Sequence, residues 1–171
     1  MDLKQAPEEP IIPRLLASNA LRANLTKHMT LNQMADSKAS MIMTASSLVM
    51  TVTLTQATRL DLVTIVVLLV SGMLAILFSI FAIIPPLHAK GQTNLFYFRS
   101  FSELSEEDFI EEFKTCIADK EKLYQAYLHE IYYLGKHRLT RKYNLVRNGL
   151  WALLTGLLLA GGITIVRHLA L

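Results

Sequence analysis

The chain has 171 residues, of which 52% are hydrophobic and 18% charged, and its formal net charge is +3. Because about a quarter of the residues in a soluble domain are charged, this composition argues against an ordinary soluble protein. The single cysteine, Cys116, excludes an internal disulfide. The polar start, MDLKQAPEEPIIPR, does not have the apolar stretch of a cleavable signal peptide.

The first predicted element is a long helix. No proline or glycine occurs between Pro13 and Gly72, so we expect residues 1–14 to be disordered or extended and a helix to begin near Leu15. Residues 15–38 are predicted to form a cytoplasmic helix that continues as a first transmembrane helix over 39–58. Since residues 39–56 are uncharged but only moderately apolar, a core helix of a soluble protein is the alternative for this segment.

Two longer uncharged runs follow, with 23 residues at 62–84 and 19 residues at 148–166. Both exceed the roughly 18 residues that predict a membrane-spanning helix. We therefore predict transmembrane helices over 61–84 and 147–167. The fold class that follows is an all-α membrane protein with three transmembrane helices, the first of which extends into the cytoplasm.

The region between the second and third spans, residues 85–146, is predicted to be a small cytoplasmic helical region. Its sequence predicts one long helix that starts at Ser105, with Asp108 completing the cap. Gly135 is expected to kink or end that helix.

The positions of lysine and arginine predict the orientation. Fifteen of the 17 lie before the first span or between the second and third spans, and only Arg59 and Arg167 lie elsewhere. Positive residues stay on the cytoplasmic side of a membrane. We therefore expect a multi-pass membrane protein with a cytoplasmic N-terminus.

Hydroxyl residues form a stripe along the first predicted span. They recur at intervals of three or four, which places them on one face of a helix, whereas Ser46 and Thr53 fall off that face. Two interpretations are open, because hydroxyls can pack helices together or, in an oligomer, line a water-filled pore. The carboxylate–lysine pair Asp36 and Lys38 is expected at the cytoplasmic mouth. The hydroxyl stripe consists of Ser37, Ser40, Thr44, Ser47, Thr51 and Thr55.

A basic segment precedes the third span, and Glu130 is the last acidic residue before it. Such a segment can hold a span in place beside anionic lipid. It can also bind a phosphate-bearing ligand, since arginine offers several donors to phosphate oxygens. The candidate phosphate-binding residues, called the basic segment below, are Lys136, His137, Arg138, Arg141 and Lys142.

No catalytic motif occurs in the sequence. The five histidines are scattered, and neither HExxH, CxxC, GxSxG nor a glycine-rich phosphate loop is present. We therefore predict that the chain is not an enzyme and that it binds no metal and no cofactor.

The stretch LRANLTKHMTLNQMADSKASMIMTASSLVM resembles the opening signature of the transmembrane effector family of Pycsar-type anti-phage systems. The segments IIPPLH and KYNLVR are also similar to family features, and the resemblance covers about residues 20–165. The residues that match the signature are Asn24, Leu25, Ala35, Asp36, Lys38, Ala39 and Ser40.

This resemblance implies a protein of the bacterial inner membrane that is encoded beside a nucleotidyltransferase or cyclase. Infection would change a nucleotide second messenger or an inhibitory oligonucleotide, and the effector would then compromise the membrane and arrest growth. The resemblance also makes Asn24, Asp36 and Lys38 candidate gate or motif residues.

Together, these features predict a homo-oligomeric channel in the lipid bilayer, with a tetramer as a working assumption, gated by a nucleotide or oligonucleotide and lined by the hydroxyl stripe. The alternative is a non-conducting membrane anchor or scaffold for a partner nucleotidyltransferase or cyclase. If the face of Ser46 meets lipid, a Ser46→Leu change is expected to spare conductance.

Overall fold

The computed structural model describes residues 14–84, 95–96, 101 and 104–170. Regular structure in these residues is helical throughout, as predicted, and contains no strand. Predictions for residues 1–13 and for most of 85–103 lie outside the described part of the chain. The helices are α1 (Arg14–Thr55), α2 (Leu62–Ile83), α3 (Glu106–Ala118), α4 (Lys120–Tyr133) and α5 (Thr140–Ala170), with a π-helical turn (Leu134–Leu139) between the last two.

Helix α1 is much longer than a membrane is thick. Its 42 residues extend about 63 Å at 1.5 Å per residue, against about 30 Å of hydrocarbon. The threonines are compatible with this helix because their hydroxyls donate hydrogen bonds to carbonyls one turn earlier. For example, Thr44 donates to Ser40 O over 3.0 Å and Thr51 to Ser47 O over 2.9 Å.

Helix α2 begins at a capped turn. Asp61 Oδ2 accepts hydrogen bonds from the backbone N–H groups of Val63, at 3.2 Å, and Thr64, at 3.4 Å. Asp61 Oδ1 also forms an ion pair with Arg167, near the C-terminal end of α5. The link between α1 and α2 therefore lies at the same end of the molecule as the end of α5, which we call the turn end.

Helices α1, α2 and α5 form a three-helix bundle in which α2 packs against both neighbours. Small residues allow the close approach of α2 and α5. A Cβ atom at Gly149 would lie 3.2 Å from Ala75 O, and a Cβ atom at Gly156 would overlap the side chain of Ser71. The core of the bundle consists of Ala39, Ile42, Ala75, Ala82, Val146 and Leu153.

In the described part of the chain, two helical segments are long and apolar enough to cross a membrane, Leu62–Ile83 and the continuous helical run Lys120–Ala170. Only 28% and 22% of their most apolar windows are buried, so most of this apolar surface faces outward, unlike that of a core helix. Within the described residues, α1 does not meet the same criterion, because polar residues dilute the apolar character of its second half.

The region after α2 differs from the single long helix that the sequence predicted. The predicted cap is present: Ser105 Oγ accepts from Asp108 N at 3.1 Å. However, Asp119 adopts an extended conformation that ends α3, and its carboxylate accepts from the N–H groups of Glu121 and Lys122 to start α4. An aspartate that caps a following helix competes with continuation of the preceding one.

Gly135 does not end the helix, because the chain passes through it as the π-helical turn. The backbone N–H and the hydroxyl of Thr140 both donate to Gly135 O, the hydroxyl over 2.9 Å. A Cβ at Gly135 would lie 3.1 Å from His28 Cε1, so the glycine also allows α1 to pack closely here. Such π-helical turns are frequent at functional sites.

Candidate functional site

The hydroxyl stripe is exposed along its whole length. The opposite face of α1 packs into the bundle through residues at positions 35, 39, 42, 46 and 53. At 100° per residue the mean directions of these two sets lie about 160° apart around the helix. The stripe therefore points away from the chain's own bundle.

Ser46 does not occupy a lipid-facing position, so the condition under which its replacement was expected to spare conductance is not met. Its exposure is 0%, and its carbonyl oxygen lies 3.7 Å from a Cβ built at Gly72 of α2. Thr53, at 2% exposure, is buried on the same face. These two small hydroxyl residues are buried because they lie on the face that packs against the bundle.

The end of the bundle opposite the turn end contains an ion pair between helices, and we call it the basic end. Lys142 Nζ of α5 lies 2.6 Å from Asp36 Oδ1 and donates a hydrogen bond to Asn32 Oδ1 over 2.8 Å. Asp36 Oδ1 is buried and makes this contact as an ion pair rather than as an aligned hydrogen bond. Nearby, the Tyr143 hydroxyl donates to Leu31 O over 3.1 Å.

Lys38 lies close to Asp36 in the sequence but does not form the ion pair with it, because Asp36 pairs with Lys142. Residues two apart on a helix do not face each other. The Lys38 ammonium instead lies 5.5 Å from the centre of the Tyr143 ring, a cation–π contact. Asn24, the third candidate motif residue, lies exposed on α1, far from this ion pair along the helix.

The structure brings together three of the five residues of the basic segment. Arg138, Arg141 and Lys142 line a cavity of about 160 Å³ at the basic end, together with Asn32 and Asp36. Three cations and one carboxylate make this cavity cationic, and the guanidinium groups suit phosphate. We call it the basic chamber.

The other two residues of the basic segment point elsewhere. The Lys136 ammonium lies 4.9 Å from the ring centre of Tyr132 and donates to its hydroxyl. The His137 ring lies 5.5 Å from that of Tyr133. Both residues are exposed, and neither contributes to the wall of the basic chamber.

A second cavity was not predicted from the sequence. It encloses about 630 Å³ between the first half of α1, α4 and the π-helical turn. We call it the aromatic chamber because Phe96, Phe101 and Tyr127 line it, and Phe96 stacks on Tyr127 at 4.9 Å between ring centres. Asn32 and Arg138 line both chambers, which are therefore adjacent. Among the described residues, His28 and Glu130 add further polar groups to its wall.

Two further features limit the chemistry of this region. A larger cavity of about 980 Å³ lies between α3 and α4, but Asp108, Glu111 and Glu112 line it, and this charge disfavours an anionic ligand. Within the described parts of the chain, no three His, Cys, Asp or Glu residues lie close enough to hold a metal ion.

The apolar exterior, the small-residue helix contacts and the helical bundle define the class of an all-helical membrane protein. The family described as the Pycsar effector protein domain matches residues 20–167. The chain belongs to this family, whose members are membrane effectors of antiviral defence and not a known class of enzyme. No curated protein and no solved structure matches the chain.

Proposed function

We propose that this effector crosses the bacterial inner membrane three times, with its N-terminus and residues 85–146 in the cytoplasm. The ion pair between Asp61 and Arg167 supports this arrangement, because it joins the two regions assigned to the far side. The asymmetry of lysine and arginine supports the orientation. In this topology the stripe lies on the first span and the basic end lies at the cytoplasmic surface.

The proposed topology predicts the location of reporters fused to the chain. A reporter at Leu171 is expected in the periplasm, and one inserted near Gly91 in the cytoplasm, because 15 of 17 basic residues lie on the cytoplasmic side. Paired alkaline phosphatase and fluorescent protein fusions measure this directly. Detection of both sites on one side of the membrane would rule out three spans.

The function that the geometry supports best is that of a homo-oligomeric pore lined by the hydroxyl stripe. The observation that carries this proposal is that α1 has two opposite faces, one packed into its own bundle and the other polar and exposed. Polar groups that face lipid are unfavourable. Copies of the chain arranged around an axis would remove the stripe from lipid and surround a water path with hydroxyls.

This pore would depolarise or permeabilise the membrane and arrest growth during infection. Control by a nucleotide or oligonucleotide signal from a neighbouring nucleotidyltransferase or cyclase is part of the proposal, with Arg138, Arg141 and Lys142, the residues of the basic segment that line the basic chamber, as the phosphate-binding residues. The family membership and the cationic chamber at the basic end support this nucleotide control. A tetramer is the working stoichiometry. The competing function is a non-conducting anchor for the partner enzyme.

Three consecutive residues of α1 provide the test of the pore. Ser47 lies on the stripe, Ser46 lies in the bundle, and Ala45 is exposed about 160° from Ser47 around the helix. Ser47→Leu narrows and dewets the pore, so ion flux in liposomes should fall about tenfold or more while the oligomer still forms. Ala45→Leu adds similar bulk off the stripe and should retain flux, which makes it the matched control.

Ser46→Leu is expected to disturb the contact between α1 and α2 and therefore to lower thermal stability as well as flux. Oligomer mass and flux should be measured on the same preparations of all three variants. If Ser47→Leu removes the oligomer together with the flux, the stripe packs helices and does not line a pore. Normal flux in Ser47→Leu excludes the pore assignment for this face, and absence of flux in the wild type favours the anchor.

A further inference from the structure

The aromatic chamber has the features of a site for a planar ring. Its volume of about 630 Å³ lies within the 300–1,000 Å³ typical of small-molecule sites. Tyr127 and Phe96 form a stacked pair in its wall, and aromatic rings of this kind stack on heterocyclic bases. The chamber is too small for a folded partner and open enough for a ligand of mononucleotide size.

The polar groups in this wall suit hydrogen bonding to a heterocycle. Glu130 lines the chamber and is only 6% exposed. His28 Nδ1 is buried, and within the described residues it has no hydrogen-bond partner. A buried nitrogen without a partner is unfavourable, and a hydrogen-bonding group of a bound heterocycle would supply the missing partner.

The basic chamber continues this site toward the membrane. Arg138 lies on the wall between the two chambers, and Arg141 and Lys142 line the smaller one. A phosphate in the basic chamber would meet all three cations. It would also meet Asp36, whose carboxylate is already paired with Lys142, so the two anions compete for one ammonium group.

We propose that the two chambers form one nucleotide site, in which the base occupies the aromatic chamber and the phosphate occupies the basic chamber. The bound phosphate displaces Asp36 from its ion pair with Lys142. This inference rests on the proposed function, which supplies a nucleotide as the ligand class. It deepens that function by locating the site and by naming the contact that ligand binding changes.

The position of this contact couples the site to the stripe. Asp36 immediately precedes Ser37, the first hydroxyl of the stripe, on one unbroken helix. Lys142 also donates a hydrogen bond to Asn32 Oδ1, and the hydroxyl of the neighbouring Tyr143 donates one to Leu31 O. Release of Lys142 from Asp36 therefore alters the connection between α1 and α5 within one turn of the stripe.

Binding is tested on the full chain in nanodiscs of neutral phosphatidylcholine. The probes are the four common 3′,5′-cyclic mononucleotides and inorganic phosphate, titrated by calorimetry. We expect saturable binding of at least one cyclic mononucleotide. Tyr127→Leu and Arg141→Gln should each weaken it about tenfold or more, as expected for loss of stacking and of a charged hydrogen bond. Lys136→Gln, on the exposed side of the same segment, is the matched control and should change affinity by less than about twofold.

The competition for Lys142 predicts opposite effects from the two members of one ion pair. Lys142→Gln should weaken nucleotide binding about tenfold. Asp36→Asn should strengthen it about fivefold, because the competing negative charge is lost while a hydrogen-bond acceptor for Lys142 remains. A purely structural ion pair would instead change affinity in the same direction in both variants. Melting temperatures of the unliganded variants identify any that fail to fold.

Nanodiscs that contain phosphatidylglycerol distinguish the other source of phosphate. Three results together would identify the basic chamber as a lipid headgroup site and show that the proposal is wrong. Phosphatidylglycerol would stabilise the wild type, Arg141→Gln would abolish this stabilisation, and no nucleotide would bind in phosphatidylcholine. Absence of saturable binding by every probe also overturns it. Normal nucleotide binding without ion flux would refute the pore but not this site, so the two proposals fail in different ways.

Discussion

Replacing Gly156 with alanine should disrupt the bundle more than the same change at any other glycine of the described residues. The new Cβ would overlap the Cβ and Oγ of Ser71, so α2 and α5 would have to separate along their shared contact. Overpacking of this kind costs about 3 kcal/mol, which corresponds to a loss of roughly 10 °C in melting temperature for a chain of this length. Thermal unfolding of the purified protein, followed by tryptophan fluorescence and by size-exclusion chromatography, measures the loss.

Gly161 provides the matched control for this change. It lies on the same helix, but a Cβ at this position would meet nothing within 4 Å in the monomer. Gly161→Ala should leave the melting temperature unchanged or raise it, since alanine favours a helix over glycine by about 1 kcal/mol.

Second-site changes at Ser71 test whether the steric overlap itself causes the loss of stability. Ser71→Gly removes both overlapping atoms and should restore most of the stability that Gly156→Ala loses. Ser71→Ala keeps the Cβ and should not restore it. Equal melting temperatures for Gly156→Ala and Gly161→Ala would show that α2 and α5 do not approach this closely.

Reversing the charge of Asp36 should have an effect of similar size at the opposite end of the bundle. Lys142 is only 11% exposed and Asp36 39%, so Asp36→Lys would place two ammonium groups together with little water between them. Breaking a buried pair costs roughly 3–5 kcal/mol, and we expect about 3 kcal/mol because Asp36 is partly open. The expected result is a large loss of folded protein recovered from membranes.

The double variant Asp36→Lys with Lys142→Asp restores an ion pair and should recover much of the lost stability. Unfolding free energies of the wild type, the two single variants and the double variant form a double-mutant cycle that gives the coupling energy. Lys38→Glu reverses a charge two residues away on an exposed part of α1 and should cost less than about 1 kcal/mol. Additive effects at Asp36 and Lys142 would contradict the contact between the two residues.

The sequence alone was sufficient to predict the helical class, the family and the regularity of the stripe. The long α1 followed from the absence of proline and glycine after Pro13, and the stripe followed from helical spacing. These are local properties, so they can be read from a single segment.

Local pattern was insufficient wherever two distant segments meet. The periodicity showed that Ser46 lies off the stripe, but only the packing of α1 on α2 decided that its face is buried rather than exposed. Likewise, the sequence placed Lys38 beside Asp36, whereas the structure pairs Asp36 with Lys142, more than 100 residues away.

The cavities also required the tertiary structure. The aromatic chamber combines residues from the first half of α1, the turn near Phe96 and α4, and each of these segments alone has the composition of an ordinary packing surface. The orientation in which helices pack depends on the shape of both partners, and small residues such as Gly156 permit contacts that no single segment reveals. The sequence determined which helices form and which faces are polar, and only their packing decided which of those faces is covered.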